Sequence, residues 1–435
     1  MGKAAREEEE DVMVHKLSVR RMILLTFFAS TGFAQPSAQN FDDILAGLED
    51  STVGVRIEAA AKLAELGKEA TAAVPALVKL LDDPSPDART VAALALGEIG
   101  SDDDMVIQGL LSRLDDAELR SDDVPVWAYA ARALGQLGPK SAPQLIAKLS
   151  GDNRTGRRAA AVALHDIKPP QKQAVPALIE LLVQNEPETR IAAMYAIIGL
   201  DPKPAASAIP TLQVMLGSDD FHTQYWACRT IAAVGPPQAL PTLDKLVELT
   251  ASGVASVRSN AAEAIGIIGP AVGKRPIAAL TTMLHDDNYV VRRAGVIALG
   301  RLGTLSAEST ATVKEAMQDP SRSIRAECAC TLWQITGEHK ESLPVLLEVI
   351  QEKNAPWEAA MAFQRLGAAG KPAVPKLSEL LTSKSGETQY FATLAISGIG
   401  PAAVDALPAL RALLESPDDD MRQVAAGVIE KLQGQ

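Results

Sequence analysis

Aromatic residues are scarce in this chain, at 4% of 435 positions, and that scarcity weighs against a β-rich fold, whose pleated surfaces favour aromatic and β-branched side chains. Cysteine is scarcer still. Cys228, Cys328 and Cys330 are too few for a disulfide framework. Cys328 and Cys330 sit two apart on an expected helix and point in different directions, while Cys228 lies about three helix pairs earlier, beyond disulfide reach. All three therefore read as small buried hydrophobes. The histidines are His15, His165, His222, His285 and His339, and no two lie four apart, so no helix-borne zinc pair exists. No serine or cysteine stands in a recognisable nucleophile elbow. An excess of positive charge is also lacking. Lys and Arg number 42 against 54 Asp and Glu, for a formal charge of −12, which argues against a nucleic-acid partner because phosphate binding needs clustered cations. These absences predict no catalytic residue, no metal and no cofactor.

The N-terminal segment carries no net charge, since Lys3, Arg6, Lys16, Arg20 and Arg21 offset Glu7, Glu8, Glu9, Glu10 and Asp11. His15 to Arg21 is basic, Met22 to Phe28 is apolar, and Gly32-Phe33-Ala34 places small residues where a signal peptidase reads. The pattern predicts a secretory signal over 1–34, cleaved after Ala34, and a short linker over 35–40; a retained anchoring helix is the alternative. The acidic run from Glu7 to Asp11 is out of character for a leader and points to Met13 as the start. Arg20-Arg21 is a weak match to a twin-arginine signal, so the general secretory route is preferred. The expected location is periplasmic or extracellular. No other run reads as long and apolar enough to span a bilayer, so no stable membrane insertion is expected once the leader is removed.

From about residue 41 onward one unit recurs. Pro143, Pro176, Pro210, Pro241, Pro276, Pro344, Pro375 and Pro408 are spaced by 33, 34, 31, 35, 68, 31 and 33 residues, a period of about 33 with one double interval. Each stands where a helix would begin, as in Ala-Val-Pro-Ala-Leu at 174–178, because proline at a first helical position loses only an unpaired donor. A second helix follows, marked near its start by Arg56, Arg89, Arg158, Arg190, Arg258, Arg292, Arg325 or Arg422 and by alanine pairs such as Ala59-Ala60 and Ala261-Ala262. It closes in glycine pairs, Gly97 and Gly100, Gly135 and Gly138, Gly266 and Gly269, Gly300 and Gly303. The first of each pair is expected to be a packing contact and the second a left-handed stop. No strand precedes these glycines, so they do not read as a nucleotide-binding loop.

An aspartate precedes the arginine by six in five units: Asp50 and Arg56, Asp83 and Arg89, Asp152 and Arg158, Asp286 and Arg292, Asp319 and Arg325. It is placed to cap the second helix and to meet an arginine of the adjoining unit, which predicts a ladder of charges. At these residues the chain resembles the HEAT-repeat family, in particular its roughly 30-residue form named after phycobilisome lyases. The resemblance covers residues 41–433. It implies an all-α, right-handed α-solenoid of about twelve helix pairs, a single domain over 41–435 with caps near 41–67 and 405–435, monomeric. For function it implies a protein-binding scaffold, with a few enzymes in the family.

The pattern breaks in informative places. Between Arg89 and Trp127 the interval is 38, and the extra residues include Asp115, Asp116, Glu118, Asp122 and Asp123. They predict an acidic solvated loop, with calcium binding as the alternative. Two units replace the arginine by glutamine ahead of an aromatic pair, Gln224-Tyr225-Trp226 and Gln389-Tyr390-Phe391; Trp127 takes the arginine position itself and Trp357 lies close to it. In HEAT solenoids the second helices line the concave face. Aligned on the glycine stops, their solvent-facing stripe reads Tyr129, Arg132 and Gln136; Tyr195; Trp226 and Arg229; Asn260 and Glu263; Arg301; Glu327 and Gln334. Tyr, Trp and Arg supply most hot-spot energy in interfaces, so Tyr129, Arg132, Tyr195, Trp226, Arg229, Asn260, Glu263 and Arg301 are the candidate partner-binding residues, centred on Trp226 and Arg229. Packing of those aromatics between units is the alternative.

The chain thus reads as a non-catalytic scaffold for a protein or peptide. Two enzyme alternatives come from the resemblance. A bilin lyase would need a chromophore cleft that no residue pattern marks. Deoxyhypusine hydroxylase, similar in architecture, holds iron with His-Glu dipeptides. Here His165 is followed by Asp, His222 by Thr, His285 by Asp and His339 by Lys.

Overall fold

A computed structural model describes residues 38–200, 202–352 and 357–434; the expected signal segment and cleavage site lie outside them. Among the described residues every regular element is helical, and the sole β-type contact is an isolated bridge between Leu119 and Pro125. The chain is an all-α solenoid of repeated helix pairs. Where the repeat predicts one continuous domain, the packing groups the chain into two compact units, residues up to Gly109 with Glu118–Val126, and Leu110–Ala117 with Trp127 onward. The division falls at the long interval between Arg89 and Trp127.

The prolines act as expected, with one refinement. A 3-10 turn leads into most of the short first helices, as Lys172–Ala174 leads into Val175–Leu182. Pro143, Pro176, Pro210, Pro375 and Pro408 then occupy one of the first two α-helical positions, where the missing N–H costs nothing. The second helices are longer, among them Val53–Leu66, Phe221–Val234, Ala255–Ile268 and Tyr289–Leu302. Their alanines are the core: Ala60, Ala93, Ala131, Ala161, Ala193 and Ala262 are fully buried.

Glycine pairs divide their work, though of the four expected left-handed stops Gly100 alone takes that conformation (φ 72°, ψ 24°) and Gly138, Gly269 and Gly303 pair a positive φ with an extended ψ. Gly269 has φ 73° and Gly303 φ 59°, conformations in which a side chain would be strained. Gly266 does the packing. A methyl there would come within 3.0 Å of Ala298 Cα on the next second helix.

The charge ladder is present, with a different job for the aspartates. Arg56 binds Asp83 through Nε at 2.6 Å and Nη2 at 2.9 Å. Arg258 binds Asp286 at 2.8 and 2.9 Å, and Arg292 binds Asp319 at 2.8 and 3.2 Å. Each of these arginines also donates Nη1 to the carbonyl six residues behind it, Asp50, Ser252 and Asp286 respectively. One guanidinium therefore ties its own turn to the turn of the following unit, in the fork geometry that suits arginine. The aspartates do not cap the helices themselves. Asp83, Asp286 and Asp319 sit two residues ahead of the N-cap and accept from its backbone N–H, at Ser85, Asn288 and Ser321.

Arg158 is a correction. Asn153 is the N-cap there, and the arginine four residues after it is Arg157, which donates to Gly151 O and to both oxygens of Glu186. Arg158 instead places its guanidinium over the Trp127 ring, 5.1 Å from the centroid. The acidic insertion is solvent-exposed at Asp115, Glu118 and Asp123, as expected, and several of its carboxylates are engaged as well. In the first unit Glu118 accepts from Arg89 at 2.6 Å, and Arg120 lies 3.2 Å from Asp87. In the second, Asp115 accepts from Lys148 at 2.7 Å. Among the described residues no group of three or more His, Cys, Asp or Glu side chains is arranged to hold a metal.

The three cysteines are buried free thiols. Burial pushes the Cys228 thiol up to about 12 and Cys330 up to about 11, and raises Cys328 further. The run Gly386–Glu415 is long and apolar enough by composition to cross a membrane, contrary to the sequence reading. Gly400, at φ 74°, interrupts it, and its first helix, Gly386–Ile399, packs against Trp357–Leu366.

Two predictions follow from this packing. Burial opposes ionisation of Asp83 and Asp286, yet the hydrogen bonds from Arg56 or Arg258 and from a backbone amide outweigh it and hold both carboxyls below the usual aspartate range. Such a lowered pKa contributes stability that is complete above the unfolded value of about 3.9 and is lost as pH falls through the folded value. Melting temperature is expected to fall steeply below about pH 4, and Asp286→Asn to show a shallower acid loss. An unchanged acid profile would show that the ladder does not carry it. Gly266→Val is expected to cost about 1–3 kcal/mol in chemical denaturation, because the neighbouring backbone must move.

Candidate functional site

Tyr195, Trp226 and Arg229 come together, and two residues that the sequence reading passed over complete the group. The His165 ring stacks on Tyr195, centroids 3.8 Å apart and planes at 21°. Tyr195 meets Trp226 edge-on at 6.0 Å, and Trp226 meets Tyr225 edge-on at 5.5 Å. Arg229 closes the array. Its guanidinium lies 5.6 Å from the Tyr225 ring and 5.3 Å from the Trp226 ring, and its Nη1 donates to Tyr225 Oη at 2.8 Å. Edge-on aromatic pairs and a cation over two rings are each favourable geometries, so the array is continuous across three successive second helices, Arg154–Asp166, Pro187–Ile198 and Phe221–Val234.

His165 anchors the far end. Its Nδ1 lies 2.8 Å from the Tyr195 carbonyl oxygen and donates to it, possible because Gly199 leaves room. A methyl at Gly199 would come within 2.8 Å of that nitrogen. Burial lowers the His165 pKa, with the hydrogen bond to the Tyr195 carbonyl opposing it, so the ring is neutral at pH 7. Burial likewise raises the Tyr195 phenol.

Trp226 departs from its expected role. It is 9% exposed, where the stripe predicted solvent contact. Half-buried Tyr225 and exposed Arg229 lie against it. The other glutamine unit repeats this arrangement: Phe391 is 7% exposed while Tyr390, edge-on to it at 5.1 Å, is at the surface. The position two after the arginine or glutamine holds buried Val91 and Ala192 in other units. The same position holds exposed Glu58 and half-buried Asn260 in two further units, so no signal in the sequence fixed its depth.

The remaining candidates are distributed along the second helices. Tyr129 and Arg132 are half-buried on Val126–Leu137, and Gln136 is exposed. Asn260 is half-buried and donates to Ser256 O on its own helix at 2.8 Å, while Glu263 is exposed. Arg301 is exposed and lies over Gly266. Gln334 is half-buried. Glu327 is the second correction. It is 2% exposed and is held by Arg293 at 3.1 Å and by Arg365, from the preceding and following second helices. Charges on both sides offset the desolvation of that carboxylate.

The two His-Asp dipeptides have other commitments, His165 to the aromatic array and Asp286 to Arg258.

Comparison with known proteins places this geometry in context. The profile of the family described as HEAT repeats matches in overlapping stretches, 41–121, 117–198, 175–266, 210–300, 243–333, 277–366 and 343–430. Phycocyanobilin lyase subunit beta of Pseudanabaena tenuis (strain PCC 7409) is 31% identical over 149 residues, 32% of this chain and 51% of that protein. Two solved structures share the fold at 14% identity over 90% of this chain: Kap121p bound to Ste12p, with a TM-score of 0.59, and the Kap95:Nup1 complex, with 0.54. The alignments cover 57% and 56% of those chains, so this chain spans little more than half the length of these three proteins.

Because Trp226 is a packed side chain and Arg229 a surface one, their truncations should separate. Trp226→Ala is expected to cost about 3–5 kcal/mol, and Arg229→Ala less than about 1 kcal/mol, in urea denaturation. Equal costs would contradict the burial assigned to them.

Proposed function

We propose, for a chain that belongs to the HEAT-repeat family over residues 41–430, the function of a non-catalytic scaffold that holds a protein or peptide partner along its second helices. The observation that carries the reading is the array ending in Tyr225 and Arg229. A half-buried tyrosine and an exposed arginine are held against an aromatic stack, and side chains of these types, fixed before binding, lose little entropy on contact. Tyr129, Arg132, Glu263 and Arg301 extend the polar surface, with Asn260 beside them.

The fold supports the reading in general terms, since structural relatives are seen bound to Ste12p and in complex with Nup1. We further propose that the chain acts as a monomer and is exported through its N-terminal segment. The second reading is a bilin lyase, favoured by the 31% identity to the phycocyanobilin lyase subunit over 149 residues.

Affinity capture with the full chain, followed by titration of each captured protein against wild type and a Tyr225→Ala, Arg229→Ala double variant, tests the first reading. The double variant is expected to bind at least about tenfold more weakly; unchanged affinity would remove this site from the scaffold. Incubation with phycocyanobilin tests the second. A stoichiometric visible absorbance retained through purification would favour the lyase, and a colourless product the scaffold.

A further inference from the structure

Two helices beyond the Arg229 array, the first turns of Tyr289–Leu302, Arg322–Thr336 and Trp357–Leu366 border an open cavity of about 330 Å³. Large aromatic side chains line it from the two outer helices. Tyr289 is 57% exposed and Trp357 is 49% exposed. Met361, one turn after Trp357, is exposed as well. Ser321 and Ser323 line the cavity from the middle helix. So much solvated aromatic surface in one place is typical of contact sites.

Two ion pairs beside the cavity share one orientation. Arg293 lies 3.1 Å from Glu327, and Arg322 lies 3.4 Å from Glu358. In both, the carboxylate side chain is the more buried partner, 3% and 11% exposed, and the arginine side chain the more exposed, 38% and 27%. The Arg293 Nε–H is shielded from solvent and has no hydrogen-bond acceptor among the described residues. A ligand approaching this cavity therefore meets cationic edges between aromatic faces, on a chain whose formal charge is −12. The lining carries two guanidinium groups against one carboxylate, Glu358, which Arg322 already faces at 3.4 Å, so a basic segment would meet net repulsion. An acidic one matches the exposed charge.

We propose that this cavity docks an extended acidic segment of a partner protein, its carboxylates on the guanidinium edges of Arg293 and Arg322 and an apolar side chain against Tyr289 and Trp357. The inference rests on the scaffold reading and names the partner chemistry at one place on it. Carboxylate and guanidinium form charge-assisted hydrogen bonds, and the aromatic faces supply the apolar contact.

The chain carries its own reporter. Of its four tryptophans, Trp127, Trp226 and Trp333 are 7%, 9% and 4% exposed, so acrylamide quenches chiefly Trp357. The peptide Asp-Glu-Leu-Phe-Glu-Asp and its charge-reversed form Lys-Lys-Leu-Phe-Lys-Lys are each titrated into the full chain while quenching is followed. The acidic peptide is expected to protect Trp357, to bind at least about tenfold tighter than the basic one, and to weaken with added salt. Tyr289→Ala, at an exposed position that the fold tolerates, and Arg293→Gln are each expected to weaken it at least about tenfold, with melting temperature as the check on folding. Equal or tighter binding of the basic peptide, or an acidic peptide indifferent to Tyr289→Ala in a folded chain, would overturn the proposal. Captured partners alongside absent acidic-peptide binding would overturn this inference alone; capture of no partner would overturn the scaffold reading.

Discussion

Successive second helices approach one another so closely that a single methyl cannot be added at Gly266 without displacing Ala298. That approach is the constraint from which the other features follow. A lone helix pair has no means of burying both of its apolar sides, so each pair must be closed by its neighbours, and small residues set how near they come. Ala60, Ala131 and Ala262 are fully buried for this reason. The short separation also brings the turn of one unit within reach of the arginine of the unit before it, which is why Arg56 meets Asp83 and Arg292 meets Asp319 across 27 residues of chain.

Where the arginine gives way to glutamine, the stack is held differently. Gln224 still donates to the carbonyl of Ser218 in its own turn, at 2.8 Å, and Gln389 to that of Leu381 at 3.0 Å. An uncharged amide supplies that bond without the ion pair to the next unit. In both units an aromatic pair follows, its second ring buried and its tyrosine less so, Tyr225 half-buried and Tyr390 exposed. Packing and display are thus two ends of one arrangement, and Tyr225 and Arg229 are fixed in place by the contact that joins the units.

The aspartate and glutamate partners of these arginines also shape the surface. At Arg56 and Asp83, and at Arg292 and Asp319, the carboxylate is the more buried member, as it is at Arg293 with Glu327 and Arg322 with Glu358. A chain that is acidic in total can therefore show cationic edges locally, because depth rather than count decides which charge a partner meets.

The period, most of the proline starts and the glycine stops were legible in the chain, because backbone rules govern them within a single unit. Proline lacks an N–H, glycine alone tolerates Gly269's combination of φ 73° with ψ −155°, and neither fact depends on what lies opposite. Depth was not legible. Adjacent residues on a helix differ by about 100° in direction, so a reading out by one residue takes Arg158 for Arg157 and Trp226 for Tyr225. Glu327 shows the same limit. Its place on the stripe was correct by periodicity, but Arg293 and Arg365 enclose it from neighbouring units. Local sequence determined where each helix begins, turns and ends; only the stacking of units decided which side chains face the solvent, since burial is set by atoms that come from elsewhere in the chain.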